Sequence, residues 1–170
     1  MVWNPEKMVV YYKMVKNMDR GFSDCRRVLF VCTGNTCRSP MAEYCFAALT
    51  GNSGIECASA GVGAFPGDPM SEMALQVLAE RGIDGSAFRS RRIGDLLVAN
   101  SDLILAMGQG HLREICRCFP FAAEKTVLLM DFAGGGDVAD PFGGNKEVYR
   151  RCLAGMLPAL ENLAETLIKK

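Results

Sequence analysis

The stretch that decides the fold runs from Val28 to Pro40 and reads VLFVCTGNTCRSP. It opens with a short continuous apolar run, Val28 to Val31, which is typical of a strand buried on both faces. Pro40 fits the first turn of a helix because that turn does not use the amide hydrogen that proline lacks. The residues between the two elements therefore form a tight connection from a strand to a helix.

This connection carries a thiol and a guanidinium, Cys32 and Arg38, with five residues between them. In such a loop successive backbone N–H groups can converge on one anion, and the helix adds the positive end of its dipole. The same groups favour the thiolate of Cys32, which can attack phosphorus and accept a phosphoryl group. Arg38 can bind two phosphate oxygens at once. The pattern therefore predicts a cysteine nucleophile that acts on a phosphate.

Other residues of the connection support this prediction. Gly34 permits close approach of the backbone, and Asn35 can adopt a left-handed conformation or brace the loop with its amide. Ser39 offers a hydroxyl beside the thiolate, which could stabilise the sulfur as a leaving group. The alternative for Cys32 is a buried thiol that only fills space in a turn. The strand before the motif and the helix after it favour catalysis, because they are the context that the motif requires.

With its neighbours, the motif resembles the low-molecular-weight protein tyrosine phosphatases. The resemblance rests on three stretches, residues 28–43 (VLFVCTGNTCRSPMAE), 59–61 (SAG) and 140–142 (DPF). It extends from about Arg27 to the C-terminus. The predicted organisation is therefore one phosphatase domain at 27–170, preceded at 1–26 by an extension whose order the sequence pattern does not decide.

The resemblance implies specific roles. Cys32 would be the nucleophile, Arg38 the phosphate clamp, and Asp140 the general acid that protonates the leaving group and later activates water. Asp140 stands in an Asp-Pro pair, which is also typical of a simple turn. Ser59 would brace the loop, or would only be a hydroxyl at the end of a strand. The remaining positions expected to contact phosphate or substrate are Thr33, Gly34, Asn35, Thr36, Cys37, Ser39 and Phe142.

The substrate class depends on few positions. The sequence is most similar to the bacterial protein-arginine phosphatase branch, because Thr36 stands where many tyrosine-specific members carry an apolar β-branched residue. A hydroxyl there suits a guanidinium, and the Phe142 ring offers it a stacking surface. At 64–66 the chain reads Ala-Phe-Pro, where tyrosine-specific members often have tryptophan. Since threonine and isoleucine are nearly isosteric, phosphotyrosine is the alternative substrate.

Two other functions compete with a phosphatase. Thiol-dependent arsenate reduction uses a similar loop but needs a relay of further cysteines near it, and the first cysteines after the third predicted strand are Cys116 and Cys118, about ten residues beyond its end. A phosphate-binding module without catalysis would not need the complete set of Cys32, Arg38 and Asp140. Both alternatives are therefore disfavoured.

The composition sets further bounds. The chain has 170 residues, 49% of them hydrophobic, and a net charge of zero, which gives no indication of nucleic-acid or membrane partners. Its eight cysteines are scattered through apolar segments, which indicates reduced thiols in a cytoplasm. Cys37 could form a reversible disulfide with Cys32 or could simply pack. His111, the single histidine, is expected on a helix surface, and neither zinc nor a cofactor is predicted. The oligomeric state is left open.

Apolar runs and helical periodicity alternate along the chain. Strands are predicted at 28–31, 55–58, 103–106 and 127–129, and helices after Pro40, from Ser71, over 93–99 and from Val148 to Leu167. This alternation predicts an α/β fold with three layers, in which helices cover both faces of a doubly wound, four-stranded parallel sheet. Ligands of such sheets bind at the carboxyl ends of the strands, where Cys32 ends the first one.

Overall fold

The computed structural model describes residues 24–168, and its centre is a parallel sheet of four strands in the order β2-β1-β3-β4. The strands are β1 Arg27–Cys32, β2 Glu56–Gly61, β3 Leu103–Ala106 and β4 Thr126–Leu128. The α-helices of the described range are α1 Arg38–Thr50, α2 Glu72–Ala79, α3 Asp95–Asn100, α4 Gln109–Cys118 and α5 Lys146–Ile168. Short 3-10 turns occupy Pro120–Lys125 and Leu129–Ala133.

Helices cover both faces of the sheet, so the central strand β1 is buried on both sides. Val28 and Phe30 pack into one apolar cluster with α1, α2 and α5, whereas Leu29 and Val31 pack into a second cluster with α3 and α4. Successive side chains of a strand point to opposite faces, so a continuous apolar run serves both clusters. The predicted three-layer α/β fold is confirmed.

Element boundaries differ from the predictions by a few residues. The second strand lies at Glu56–Gly61 rather than 55–58, and β4 begins and ends one residue earlier than predicted. The helix after the Cys32 motif begins at Arg38, two residues before Pro40. Ser71 stands at the N-cap of α2, but its hydroxyl does not cap the helix and instead receives a hydrogen bond from the thiol of Cys37.

The predicted extension at 1–26 lies outside the described residues except for its last three positions. Its order and its role remain predictions. Between residues 24 and 168, no helix combines the length and the apolar character that crossing a membrane would need.

Gly61 lets β2 pass beneath the connection that carries Cys32, which we call the Cys-Arg loop (residues 32–38). The backbone of this crossing is tied by Val62 N–H to Cys32 C=O and by Gly63 N–H to Thr33 C=O, both at 3.0 Å. A Cβ on Gly61 would lie 2.3 Å from the Thr33 carbonyl oxygen, closer than real contacts allow. Only glycine therefore permits this approach.

The conformation of the Cys-Arg loop depends on Asn35, the one non-glycine residue with positive φ (55°) between residues 24 and 168. Its side chain is fully buried, and Nδ2 donates to Ser39 Oγ at 2.9 Å and to Ser59 Oγ at 2.8 Å. Oδ1 accepts the Arg91 N–H at 2.8 Å. Ser59 in turn donates to the carboxylate of Glu43, whose pKa is raised by burial. One amide thus links the loop to α1, β2 and the segment before α3.

Gly61→Ala should lower the free energy of unfolding by about 1–3 kcal/mol, because the new methyl group forces Thr33 away from β2. Urea denaturation measures this loss. Gly63→Ala is the matched control, since its Cβ would meet nothing closer than 3.8 Å. Equal losses in the two variants would show that the Gly61 approach does not constrain the loop.

Substitutions of Asn35 separate its hydrogen bonds from its backbone conformation. Asn35→Gly keeps the left-handed backbone but leaves buried partners unsatisfied, and it should cost roughly 2 kcal/mol of unfolding free energy. Asn35→Ala loses the same bonds and should cost about 1 kcal/mol more than Asn35→Gly, because alanine, unlike glycine, is strained in the left-handed conformation. Urea denaturation measures both. If the two variants are equally stable, the left-handed conformation contributes no strain.

Candidate active site

A cavity of about 250 Å³ brings together residues from two segments that are far apart in the sequence. One is the Cys-Arg loop and the other is the Asp-Pro loop (residues 137–143), between β4 and α5. The cavity is lined by Cys32, Thr33, Gly34, Thr36, Cys37, Arg38, Asp140 and Phe142. Of the other residues singled out in the sequence, Asn35, Ser39 and Ser59 are buried and form the network beneath the loop.

The sulfur of Cys32 lies among hydrogen-bond donors. Its Sγ is 2.9 Å from Ser39 Oγ and accepts the backbone N–H of Asn35 at 3.3 Å. Ser39 Oγ accepts a hydrogen from the Asn35 amide, and its own hydroxyl hydrogen can go either to the sulfur or to the Ala60 carbonyl oxygen, which is 3.4 Å away. Donors of this kind can stabilise negative charge that develops on the sulfur during a reaction. The local structure therefore suits Cys32 to nucleophilic attack.

Arg38 and Asp140 form an ion pair across the cavity, with Nη2 and Oδ2 2.7 Å apart. The Arg38 side chain is only 10% exposed, whereas that of Asp140 is 54% exposed. A buried guanidinium needs an anionic partner, and Asp140 fills this role in the ligand-free protein. Because Asp140 is half exposed, it can move aside when a phosphate approaches Arg38. Asp140 Oδ1 also accepts the Phe142 N–H at 3.2 Å.

The residues that line the cavity include the polar side chain of Thr36 and the aromatic side chain of Phe142. Thr36 borders the cavity, with its Oγ1 3.6 Å from Cys37 Sγ and its carbonyl bound to the Ser71 N–H at 2.9 Å. Phe142 is 81% exposed and stands at the Asp-Pro loop. A flat polar group could contact both residues.

Cys37 is engaged in the interior rather than paired with Cys32. Its Sγ lies 3.1 Å from the Tyr149 hydroxyl and 3.4 Å from Ser71 Oγ, and no disulfide joins two cysteines of the described range. Burial and the hydrogen bond to Cys37 raise the pKa of Tyr149 to about 12. The packing interpretation of Cys37 describes this reduced state, and a disulfide with Cys32 remains a prediction. Tyr149 and Ser71 were not predicted as partners of the loop.

His111 was expected on a helix surface, and it does lie on a helix, but its contact with the Cys-Arg loop was not predicted. It stands in the first turn of α4, half-buried, with its Nε2 2.9 Å from Thr33 Oγ1. Burial and the nearby Arg38 lower its pKa, and Asp140 and Asp137 oppose that effect. Strand pairing is the signal that could have placed it. Because β1 and β3 are parallel neighbours, residues that follow their carboxyl ends meet at one edge of the sheet.

Known proteins are similar to this chain in both sequence and fold. The family model for low molecular weight phosphotyrosine protein phosphatase matches residues 27–170. A protein-arginine-phosphatase of Geobacillus stearothermophilus is 46% identical over 146 residues, which cover 83% of this chain and 95% of that protein. A solved arginine phosphatase from the same organism is 42% identical, with a TM-score of 0.79 over 82% of this chain and 91% of the other.

Two further solved structures extend the comparison. A low molecular weight protein tyrosine phosphatase from T. tengcongensis is 43% identical, with a TM-score of 0.79 over 83% of this chain and 99% of the other. A mutant arginine phosphatase with a phosphorylated active-site serine is 35% identical, with a TM-score of 0.81 over 85% of this chain and 97% of the other. Sequence and structure agree that this chain belongs to the low molecular weight phosphotyrosine protein phosphatase family.

Proposed function

We propose that this protein hydrolyses phosphoarginine side chains of proteins through a phosphocysteine intermediate. The observation that carries the proposal is the convergence of Cys32, Arg38 and Asp140 on one cavity of about 250 Å³. A nucleophile, an anion clamp and a proton donor are the groups that phosphoryl transfer to a cysteine requires.

In the first step, phosphate takes the place of Asp140 as the anionic partner of Arg38. Arg38 and the loop N–H groups hold the equatorial oxygens and stabilise their charge in the transition state. The Cys32 thiolate attacks phosphorus, a sulfur–phosphorus bond forms, and the bond from phosphorus to the guanidine nitrogen breaks. Asp140, protonated next to the bound phosphate, transfers its proton to that nitrogen, and arginine leaves.

In the second step, water hydrolyses the intermediate. Asp140, now a carboxylate, removes a proton from the water as the water oxygen attacks phosphorus. The sulfur–phosphorus bond breaks, and Cys32 leaves as a thiolate that accepts hydrogen bonds from Ser39 and Asn35 N–H. Inorganic phosphate then dissociates, Asp140 releases the proton to solvent, and its carboxylate pairs with Arg38 again.

The cavity walls support phosphoarginine over phosphotyrosine. A guanidinium presents N–H donors in a plane, and the Thr36 hydroxyl can accept one while the Phe142 ring stacks on that plane. Overall identity does not separate the two substrates, because relatives named for either one have similar identities to this chain. The choice therefore depends on the wall residues, and phosphotyrosine is the second candidate.

The physiological substrates that we propose are phosphorylated proteins in the cytoplasm. A thiolate nucleophile must stay reduced, and eight cysteines scattered through the chain suit a reducing compartment. Phe142 is exposed at the cavity, and we expect it to contact residues of the substrate protein next to the phosphorylated side chain.

Cys32→Ser should lower phosphatase turnover by about a thousandfold or more, since a serine hydroxyl is a far weaker nucleophile. Asp140→Asn should lower phosphoarginine turnover by about 10²–10⁴-fold, because guanidine leaves poorly without a proton. The loss should be smaller with para-nitrophenyl phosphate, whose leaving group needs no proton. Steady-state kinetics measure all three values.

Cys32→Ser turnover within tenfold of wild type would rule out the phosphocysteine mechanism. Absence of turnover in wild type would indicate a binding module.

Thr36→Ile should shift the ratio of kcat/KM for phosphoarginine and phosphotyrosine peptides toward phosphotyrosine by about 10–100-fold, since one wall hydroxyl is lost. Peptides that are identical apart from the phosphorylated residue give the ratio. Thr36→Ser is the matched control, because it keeps the hydroxyl and removes the methyl group. A wild type that prefers phosphotyrosine, or an unchanged ratio in Thr36→Ile, would contradict the assignment.

A further inference from the structure

The imidazole of His111 contacts the residue next to the proposed nucleophile. His111 Nε2 and Thr33 Oγ1 are 2.9 Å apart, and Thr33 directly follows Cys32. Thr33 is also one of the residues that line the cavity. The histidine therefore contacts a residue of the cavity wall.

The other ring nitrogen of His111 is buried. Nδ1 has no hydrogen-bond partner within the described part of the chain. A buried polar atom without a partner costs free energy, and such atoms need an explanation in a native structure. The imidazole is therefore held against Thr33 by its surroundings and not by a hydrogen bond at each nitrogen.

The start of α4 links the two loops of the site. Asp137 of the Asp-Pro loop accepts the Gln109 N–H at 2.9 Å, and Val138 N–H donates to the Met107 carbonyl at 2.8 Å. One turn later, His111 reaches the Cys-Arg loop. The first turn of α4 thus contacts both the segment that carries Asp140 and the residue beside Cys32, so a change at His111 can act on the reacting groups.

The charged groups that act on His111 come from both loops. The Arg38 cation opposes its protonation, whereas Asp140 and Asp137 favour it. In the ligand-free protein the Arg38–Asp140 ion pair largely balances two of these charges. A bound phosphate dianion adds negative charge beside Arg38, and Asp140 remains nearby. The field at His111 then favours the imidazolium.

We propose that His111 is a positioning residue for phosphate binding, and that it takes up one proton from solvent when a phosphate dianion enters the Cys-Arg loop. In the neutral tautomer that carries its proton on Nδ1, Nε2 accepts the Thr33 hydroxyl hydrogen. The added proton goes to Nε2, so the imidazolium donates through Nε2–H to Thr33 Oγ1. The Thr33 hydroxyl hydrogen is then free to donate to a phosphate oxygen. The inference rests on the proposed function, because it requires this loop to bind phosphate.

Because the chain has a single histidine, its imidazole resonance in the NMR spectrum is unambiguous. We would titrate the resonance of wild-type protein with pH, with and without saturating inorganic phosphate. The expected result is a midpoint that moves to higher pH when phosphate binds. Binding without a change in the midpoint would overturn the inference but leave the proposed function standing, whereas absence of phosphate binding would overturn both.

Two variants test whether the linkage acts on affinity. His111→Gln keeps an amide donor near the Nε2 position but does not titrate, and His111→Ala removes both features. From mildly acidic to mildly basic pH, the affinity of wild type for phosphate dianion should fall by about fivefold relative to His111→Gln. Calorimetry at each pH gives the affinities, and His111→Ala should bind more weakly at every pH. If His111→Gln has the wild-type pH profile, the inference is wrong.

Discussion

The buried amide of Asn35 holds the proposed catalytic loop in the shape that its chemistry needs. Asn35 has a left-handed backbone, its own N–H donates to Cys32 Sγ, and its side-chain amide supplies hydrogen bonds that the backbone of such a turn lacks. Its partners Ser39, Ser59 and Arg91 come from separate elements, so the loop is anchored to three parts of the molecule. The hydrogen bonds that reach the Cys32 sulfur thus depend on the packing beneath the loop.

The proposed chemistry depends on which anion is paired with the Arg38 guanidinium. Arg38 is too buried to stay unpaired, and in the ligand-free protein it is neutralised by the more exposed Asp140. In the mechanism that we propose, phosphate replaces the carboxylate at Arg38, and the freed Asp140 is then adjacent to the leaving group. One buried charge would then account both for the place where phosphate binds and for the nearby proton donor.

Much of the site could be predicted because its central segment is contiguous. The strand, the loop and the helix at 27–50 are local in sequence, so spacing alone placed Cys32 and Arg38 together. The positions of Tyr149 and His111 could not be obtained in this way. Their contacts with the loop join residues that are 112 and 78 positions apart. Such contacts depend on strand order and helix packing, which periodicity does not specify.

The sequence by itself determined the fold class and the chemical type of the site, because a buried strand, a turn and a helix are set by local residue preferences. Only the tertiary structure decided that Asp140 lies against Arg38 and that His111 lies against Thr33. It also decided that Gly61 must be a glycine, since a side chain there would clash with the Thr33 carbonyl oxygen of the neighbouring segment. These are properties of parallel strands that end at one edge of a sheet, where residues remote in sequence become neighbours.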